Sequence, residues 1–193
     1  MTLAEKVESV EILFQTLDGE IAAFQNWSGL HCTSGCGKCC LKPDITATVL
    51  EFLPLAYHAF KENHAVELYE RVKGQESSLC IMLNQAGLNG MCSNYHSRGM
   101  ICRVFGYSAR MNKYGKPEMM TCKIIKTEQE ENYNKAVDKI GKGTKDVTIA
   151  ENYYRKLVMI DDHLGRTLYP VNTAIEKALE IVLQYHSYRE VDQ

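Results

Sequence analysis

The first part of the chain carries a regular stripe of apolar residues. They recur at alternating spacings of four and three, at Leu3, Val7, Val10, Phe14, Leu17, Ile21 and Phe24. These spacings place the side chains on one face of an α-helix and predict a helix over residues 2–28. Two interpretations of the stripe are open: a helix lying along the core, or the seam of a coiled-coil homodimer. The bulky phenylalanines and the small number of repeats favour the core helix.

Apolar periodicity predicts further helices on either side of the middle of the chain. They cover about 49–60, His64–Val72, 127–140, 147–163 and 170–188. Pro54 lies inside the first of these segments and predicts a kink or a break, because proline cannot donate the helical hydrogen bond.

The middle of the chain has a different pattern. Cys80–Leu83 and Met91–Tyr95 lie on either side of a glycine-containing loop, which predicts two short strands. A second ribbon is predicted from Arg103–Met111 and Glu118–Ile124. We therefore expect a mainly α fold with a small irregular β insert, made of short hairpins, that carries the cysteine cluster.

We expect a single domain over residues 1–193. Within it, an N-terminal helix (2–28) precedes a cysteine-cluster core (29–124) and a C-terminal helical segment (127–190). Hydrophobic residues make up 45% of the chain and charged residues 24%, which argues for a globular protein against a disordered or fibrous one. The net charge of −2 gives no electrostatic reason to expect nucleic acid or acidic lipid as a partner.

The N-terminal sequence mixes charged and apolar residues from its first positions, so it lacks the apolar core of a targeting signal. No stretch approaches the roughly 18 apolar residues that a membrane span needs. We therefore expect a cytoplasmic protein without membrane association. Thiols are kept reduced in that compartment, which makes the cysteines informative.

Eight cysteines are the candidate metal ligands, at Cys32, Cys36, Cys39, Cys40, Cys80, Cys92, Cys102 and Cys122. A disulfide framework belongs to small secreted chains, so metal ligation is the favoured interpretation. The first four are closely spaced, and the glycines among them allow the backbone to fold thiolates onto one ion. Cys39 and Cys40 are adjacent, and neighbouring side chains tend to diverge. Either one of them binds and the other packs, or the two serve different metals. Lys38 adds a positive charge that favours ionised thiols. The last four have the long spacings of ligands presented by strands and turns.

The identity of the metal stays open at this point. Eight thiolates suffice for two four-thiolate zinc sites, or for one iron–sulfur cluster with cysteines to spare. His31 is a candidate nitrogen ligand or supporting donor, with a solvent-facing position as the alternative, and His96 is a weaker candidate. Arg98 and Arg103 either offset the negative charge of a thiolate centre, which is the favoured interpretation, or pair with surface carboxylates. No residue pattern defines a catalytic centre, so catalytic residues and enzymatic activity stay open.

Four motifs occur in a distinctive order: Cys36-Gly37-Lys38-Cys39-Cys40, Cys80-Ile81-Met82-Leu83, Gly90-Met91-Cys92-Ser93-Asn94-Tyr95, and Arg98 followed by Cys102-Arg103-Val104-Phe105. In these motifs the chain resembles the YkgJ-type cysteine-cluster family, also described as the CxxCxxCC zinc- or iron-chelating domain. The resemblance covers about residues 30–124. It implies metal chelation by the cysteines and a largely uncharacterised bacterial role.

The chain departs from the family pattern in two places. Three residues separate Cys32 from Cys36 where the family commonly has two, and Gly99 stands where the family usually has a proline after the arginine. The cysteine cluster is also similar to that of flagellin lysine methylases, which implies an iron–sulfur centre. Those proteins are much longer, and the chain lacks their expected glycine-rich cofactor signature. An iron–sulfur enzyme or accessory protein with redox or group-transfer chemistry is therefore the alternative to a zinc- or iron-chelating protein.

Overall fold

The structure is a computed structural model that describes residues 1–32, 36–84 and 91–190. Its α-helices are α1 (Leu3–Ser28), α2 (Leu53–Lys61), α3 (Ala65–Lys73), α4 (Met100–Val104), α5 (Lys123–Glu128), α6 (Glu130–Gly141), α7 (Ala150–Ile160), α8 (Asp162–Arg166) and α9 (Val171–Glu190). Its strands are β1 (Thr46–Thr48), β2 (Leu83–Asn84), β3 (Met91–Cys92), β4 (Ser108–Met111), β5 (Pro117–Met120) and β6 (Leu168–Pro170). The strands form the antiparallel pairs β1–β6, β2–β3 and β4–β5. The predicted fold class, mainly α with small β hairpins, is confirmed.

Helix α1 contains the apolar stripe. All of the stripe residues are buried, from Leu3 at 6% exposure to Leu17 at 0%. Burial of one such side chain contributes about 1.5–3 kcal/mol, so the stripe accounts for much of what holds this long helix in place. This is the burial expected of a helix lying along a core. A homodimer through α1 stays a prediction.

The chain divides into two compact units. The first contains Met1–Glu11, Gly35–Gly99 and Leu157–Gln193, and the second contains Ile12–Ser34 and Met100–Lys156. The single domain over residues 1–193 stays a prediction. No helix in the described part of the chain is long and apolar enough to cross a membrane.

In the first unit, α9 packs against α2, α3, β1 and β6. Its apolar face, including Ile175 and Leu179, is fully buried. The β1–β6 pair joins residues far apart in sequence, with Ala47 opposite Tyr169. Sequence periodicity missed this pair because each strand has only three residues.

The predicted helix over about 49–60 is interrupted just before Pro54. A 3₁₀ turn over Leu50–Phe52 precedes α2, and Pro54 lies in the first turn of that helix. Proline is tolerated there because the first amide groups of a helix have no internal acceptor. The break therefore falls before the proline.

The second unit contains the β4–β5 ribbon, in which Ser108 pairs with Met120 and Met111 with Pro117. The predicted ribbon was too long at both outer ends. Arg103 lies in α4, because Met100 and Val104 are one helical turn apart and both fully buried. The predicted helix over 127–140 also differs, since its backbone is interrupted at Gln129 between α5 and α6.

Candidate metal centre

The cysteines are divided between the two units. The first unit contains Cys36, Cys39, Cys40, Cys80 and Cys92, and the second contains Cys32, Cys102 and Cys122. All eight have some solvent exposure, and Cys32 and Cys39 are the exposed ones.

Two adjacent thiols of the first unit lie side by side. Lys38–Leu41 forms a 3₁₀ turn, in which the amide of Cys40 donates to the carbonyl of Gly37 at 2.8 Å. The turn places Sγ of Cys39 3.9 Å from Sγ of Cys40. Two sulfurs bound at about 2.3 Å to one tetrahedral zinc lie about 3.8 Å apart. The observed separation therefore matches what a single ion requires of two thiolate ligands.

The Cys39 thiol ionises readily. Its hydrogen bond with the Cys40 thiol is the largest influence, and the pKa of Cys39 falls to about 6. Partial burial opposes this shift, while the backbone amides of both cysteines and the charge of Arg98 support it. A thiolate is the form that binds a metal ion, so Cys39 is in the ligand form at neutral pH.

The hairpin of β2 and β3 carries two more thiols. Cys92 in β3 pairs with Leu83, whose amide donates to the carbonyl of Cys80 at 2.9 Å. Burial raises the pKa of both thiols, and the charge of Cys92 further raises that of Cys80. The Cys92 thiol is also influenced by the charges of Cys39 and Arg98. The Cys92 thiol therefore lies within electrostatic reach of Cys39.

Arg98 supplies the positive charge at this site. Its guanidinium carbon lies 4.0 Å from the centre of the Tyr95 ring, a stacking contact that fixes the direction of the side chain. Its charge adds to the lowering of the Cys39 pKa and partly offsets the rise that burial causes in the pKa of Cys92. This arrangement agrees with the charge-compensating interpretation of Arg98.

The buried carboxylate of Glu51 lies beside Gly99, the residue that follows Arg98. Glu51 is fully buried, and its Oε1 accepts from the Thr48 amide at 2.6 Å and from the Thr48 hydroxyl at 3.1 Å. The Glu51 amide donates back to the Thr48 hydroxyl at 3.4 Å. Sequence analysis missed this reciprocal contact, although threonine followed three residues later by glutamate is the signature of a capping box.

The structure brings one pair of candidate ligands, Cys39 and Cys40, into contact, and the described residues do not form a complete metal site. Among residues 1–32, 36–84 and 91–190, no three His, Cys, Asp or Glu side chains are positioned to hold one ion. Metal binding commonly organises its own ligands, because the binding free energy is coupled to folding. The residues fit zinc or iron by their chemistry: thiol donors, one of them with a lowered pKa, beside an arginine.

In the second unit, Cys122 and Cys102 lie at helices. Cys122 is the N-cap residue of α5, and its sulfur accepts from the amide of Ile125 at 3.4 Å. Cys102 lies within α4. The sulfur of Cys122 thus has a structural role that its sequence position alone did not reveal.

The segment leading to Cys32 is held by a side chain of the α5–α6 junction. The His31 amide donates to Oε1 of Gln129 at 2.9 Å, and Nε2 of Gln129 donates to the His31 carbonyl at 2.6 Å. Nδ1 of His31 lies 3.1 Å from the carbonyl of Gly29. Since a carbonyl oxygen only accepts, Nδ1 is the donor in this contact. His31 is exposed, as is His96.

Arg103 has a different role from Arg98. Its side chain is 6% exposed, pairs with Asp18 and lies over the ring of Phe14 at 4.4 Å. Both partners belong to α1. Arg103 therefore pairs with a carboxylate, as the second interpretation expected, and packs α4 within the second unit.

The closely placed thiols of Cys39 and Cys40 and the six further cysteines are the features of a cysteine-rich protein. A family model described as "CxxCxxCC: Putative zinc- or iron-chelating domain" matches residues 31–137, which is more than half of the chain. The chain belongs to this family, and the resemblance seen in its motifs is confirmed. Neither the curated proteins nor the solved structures include a match.

Proposed function

We propose that this protein binds zinc or iron in the cytoplasm through cysteine thiolates. Family membership supports the chemistry, and one observation carries the assignment to particular residues. The 3.9 Å separation of the Cys39 and Cys40 sulfurs is that of two ligands on one tetrahedral ion. The proposed ligands are all eight cysteines: Cys32, Cys36, Cys39, Cys40, Cys80, Cys92, Cys102 and Cys122.

The first ligand set that we propose lies in the first unit. Cys39 and Cys40 provide the pair on the 3₁₀ turn, and Cys80 and Cys92 provide the pair on the hairpin. Cys36 begins the same loop. Four thiolates around a divalent ion carry a net charge of −2, so a nearby cation is favourable. Arg98 supplies it.

A metal ion held in this way would stabilise the middle of the chain. Structural zinc sites contribute on the order of 10–16 kcal/mol of apparent binding free energy near neutral pH. That is comparable to the whole stability of an ordinary domain. We therefore propose a stabilising or chelating metal, with the closed coordination shell that four thiolates give.

The test is metal content measured together with thermal unfolding. Protein purified without oxygen is analysed for zinc, iron and acid-labile sulfide, and its visible spectrum is recorded. Cys39→Ser and Cys92→Ser should each lose metal and melt at lower temperature. Ser78→Ala, an exposed position close to Cys80 in sequence, is the control and should retain both. If both cysteine variants keep the full metal content, these ligands are wrong.

The metal found decides between the two forms of the proposal. Stoichiometric zinc and a colourless protein support a chelating or structural centre. Iron with sulfide and broad visible absorption would support the iron–sulfur alternative, and with it redox or group-transfer chemistry. Cobalt substitution adds a check, because thiolate–cobalt absorption grows with the number of thiolate ligands.

A further inference from the structure

A cavity of about 500 Å³ opens beside Cys80 in the first unit. This volume falls within the range of small-molecule sites in proteins, about 300–1,000 Å³. Two of its lining residues are apolar, Ile81 and Leu83. The others carry polar groups or a thiol: Arg71, Gln75, Ser77, Cys80, Asn84 and Ser93.

One wall of the cavity is a loop whose carbonyl groups are already bonded. Nε2 of Gln75 donates to the carbonyl of Leu79 at 2.5 Å and to that of Ser77 at 3.2 Å. Nδ2 of Asn172, in the first turn of α9, donates to the same two carbonyls at 2.8 and 3.3 Å. Oδ1 of Asn172 accepts from the amide of Ile81 at 2.9 Å. The loop is therefore held by Gln75 and by Asn172, and the carbonyl oxygens of Ser77 and Leu79 are already hydrogen-bonded.

The cysteine hairpin also lines the cavity, through Leu83 and Asn84 of β2 and through Ser93 directly after β3. The Ser93 amide and hydroxyl both donate to the carbonyl of Met82, at 2.7 and 3.0 Å. This bonding holds Ser93 against the residue that precedes β2. Cys92 lies in β3, so the cavity borders the strand that carries a proposed metal ligand.

Arg71 gives the cavity its charge. Among the described residues it is the one charged residue that lines the cavity, and none of the described carboxylates lines it. Within the described ranges, no ion pair engages its guanidinium group, although Glu67 and Glu70 lie on the same helix. A guanidinium group that is not paired with a protein carboxylate is suited to bind an oxyanion through two parallel hydrogen bonds.

We propose that this cavity binds a small oxyanion, a carboxylate or a phosphate group, held by Arg71 next to the Cys80 thiol. The inference rests on the proposed function for the metal beside Cys80, and it assigns the ligand class of that site. The bound anion would lie between the arginine and the proposed metal ligands. The carbonyls of Ser77 and Leu79 are already hydrogen-bonded, so they do not compete with an anion for the Arg71 guanidinium group.

The test uses glutarate and inorganic phosphate as separate probes on the intact protein in its metal-loaded form. Binding is followed by calorimetry and by the amide NMR signals of Asn84 and Ser93. At least one probe should bind and shift these signals, and Arg71→Met should weaken that binding tenfold or more. Lys73→Met removes the same charge from the same helix and lies outside the cavity, so it should leave binding within about twofold.

The two probes distinguish the sources of the oxyanion, and sodium chloride at equal ionic strength controls for screening. If neither probe binds, or if Arg71→Met and Lys73→Met weaken binding equally, the inference is wrong. The metal content of Arg71→Met should equal that of the wild type. Binding that depends on Arg71 in a chain that takes up no metal would keep the cavity assignment and overturn the proposed function alone.

Discussion

Gly99 lies directly against the buried carboxylate of Glu51. A Cβ atom at Gly99 would lie 2.9 Å from Oε2 of Glu51 and 2.9 Å from Cζ of Phe52. Real Cβ contacts are not this short, so a side chain at Gly99 requires both neighbours, or the backbone between them, to shift. Gly99, which stands where the family usually has a proline, therefore leaves the space that the Glu51 carboxylate occupies.

This contact predicts that Gly99→Ala destabilises the protein. Overpacking of a dense site typically costs about 1–3 kcal/mol, and we expect a loss in that range from urea unfolding. Gly19→Ala is the matched control, because nothing lies within 4 Å of its added Cβ and it is in the middle of α1. That variant should gain about 0.5–1 kcal/mol from helix propensity. Equal stability of Gly99→Ala and the wild type would show that the contact relaxes at no cost.

A second prediction concerns acid unfolding through Asp161. Burial alone would raise its pKa, but the hydrogen bond from Lys6 and the amide of Leu164 outweigh burial and hold the pKa below its ordinary value. The Lys6 Nζ to Asp161 Oδ2 distance is 2.6 Å. A lowered pKa means stability that is present above the unfolded-state pKa of about 4 and lost as the pH falls through the folded value.

The measurement is the unfolding free energy of the wild type and Asp161→Asn between pH 7 and pH 2. Asparagine keeps an N-cap oxygen for α8 but not the charge. The wild type should be more stable at pH 7, and the difference should shrink below pH 4. A difference that stays constant over this range would mean that the charge of Asp161 contributes nothing.

A third prediction concerns Asn172, which holds the loop before Cys80. Asn172→Ala leaves the carbonyls of Ser77 and Leu79 with fewer donors and the amide of Ile81 without its acceptor. Lost partners of partly buried groups cost about 1–3 kcal/mol. We expect lower stability and faster loss of metal to a competing chelator, with Asn172→Asp intermediate. Unchanged metal release would show that the loop before Cys80 does not contribute to retention of the metal.

A fourth prediction separates the two roles of Cys122. As an N-cap it can be replaced by serine, while Cys122→Ala removes the acceptor for Ile125 and should cost about 1 kcal/mol in the metal-free protein. Both variants remove the sulfur, so both should bind less metal if Cys122 is a ligand. Full metal content in Cys122→Ser would show that Cys122 caps α5 and is not a metal ligand.

Periodicity and local signals predicted the fold well where helices are long. The α1 stripe and the apolar face of α9 repeat often enough to define both helices. The β1–β6 pair could not be predicted, because its three-residue strands have no period and join distant segments. Arg103 was assigned to a strand because a five-residue helix such as α4 has a single apolar turn, at Met100 and Val104.

The cysteines stay predicted metal donors, and their structural surroundings could not be predicted from the sequence. Cysteine spacing and family motifs identified the thiols and Arg98. The partners that hold them come from distant parts of the sequence. Asn172 reaches the loop before Cys80 from α9, and Arg71 lines the neighbouring cavity from α3. No local pattern reports such contacts, because they depend on how the helices pack.

The carboxamide of Gln129 takes the place of a peptide group opposite His31, since it both accepts from and donates to that residue. His31, directly before the first cysteine, is therefore bonded to Gln129, which lies beyond the last cysteine. The two hydrogen bonds between them resemble those between neighbouring strands. A fragment cut after Cys122 would keep every thiol and lose this pairing. The family match over residues 31–137 includes both partners, so the matched region extends into helix α6 beyond the last cysteine.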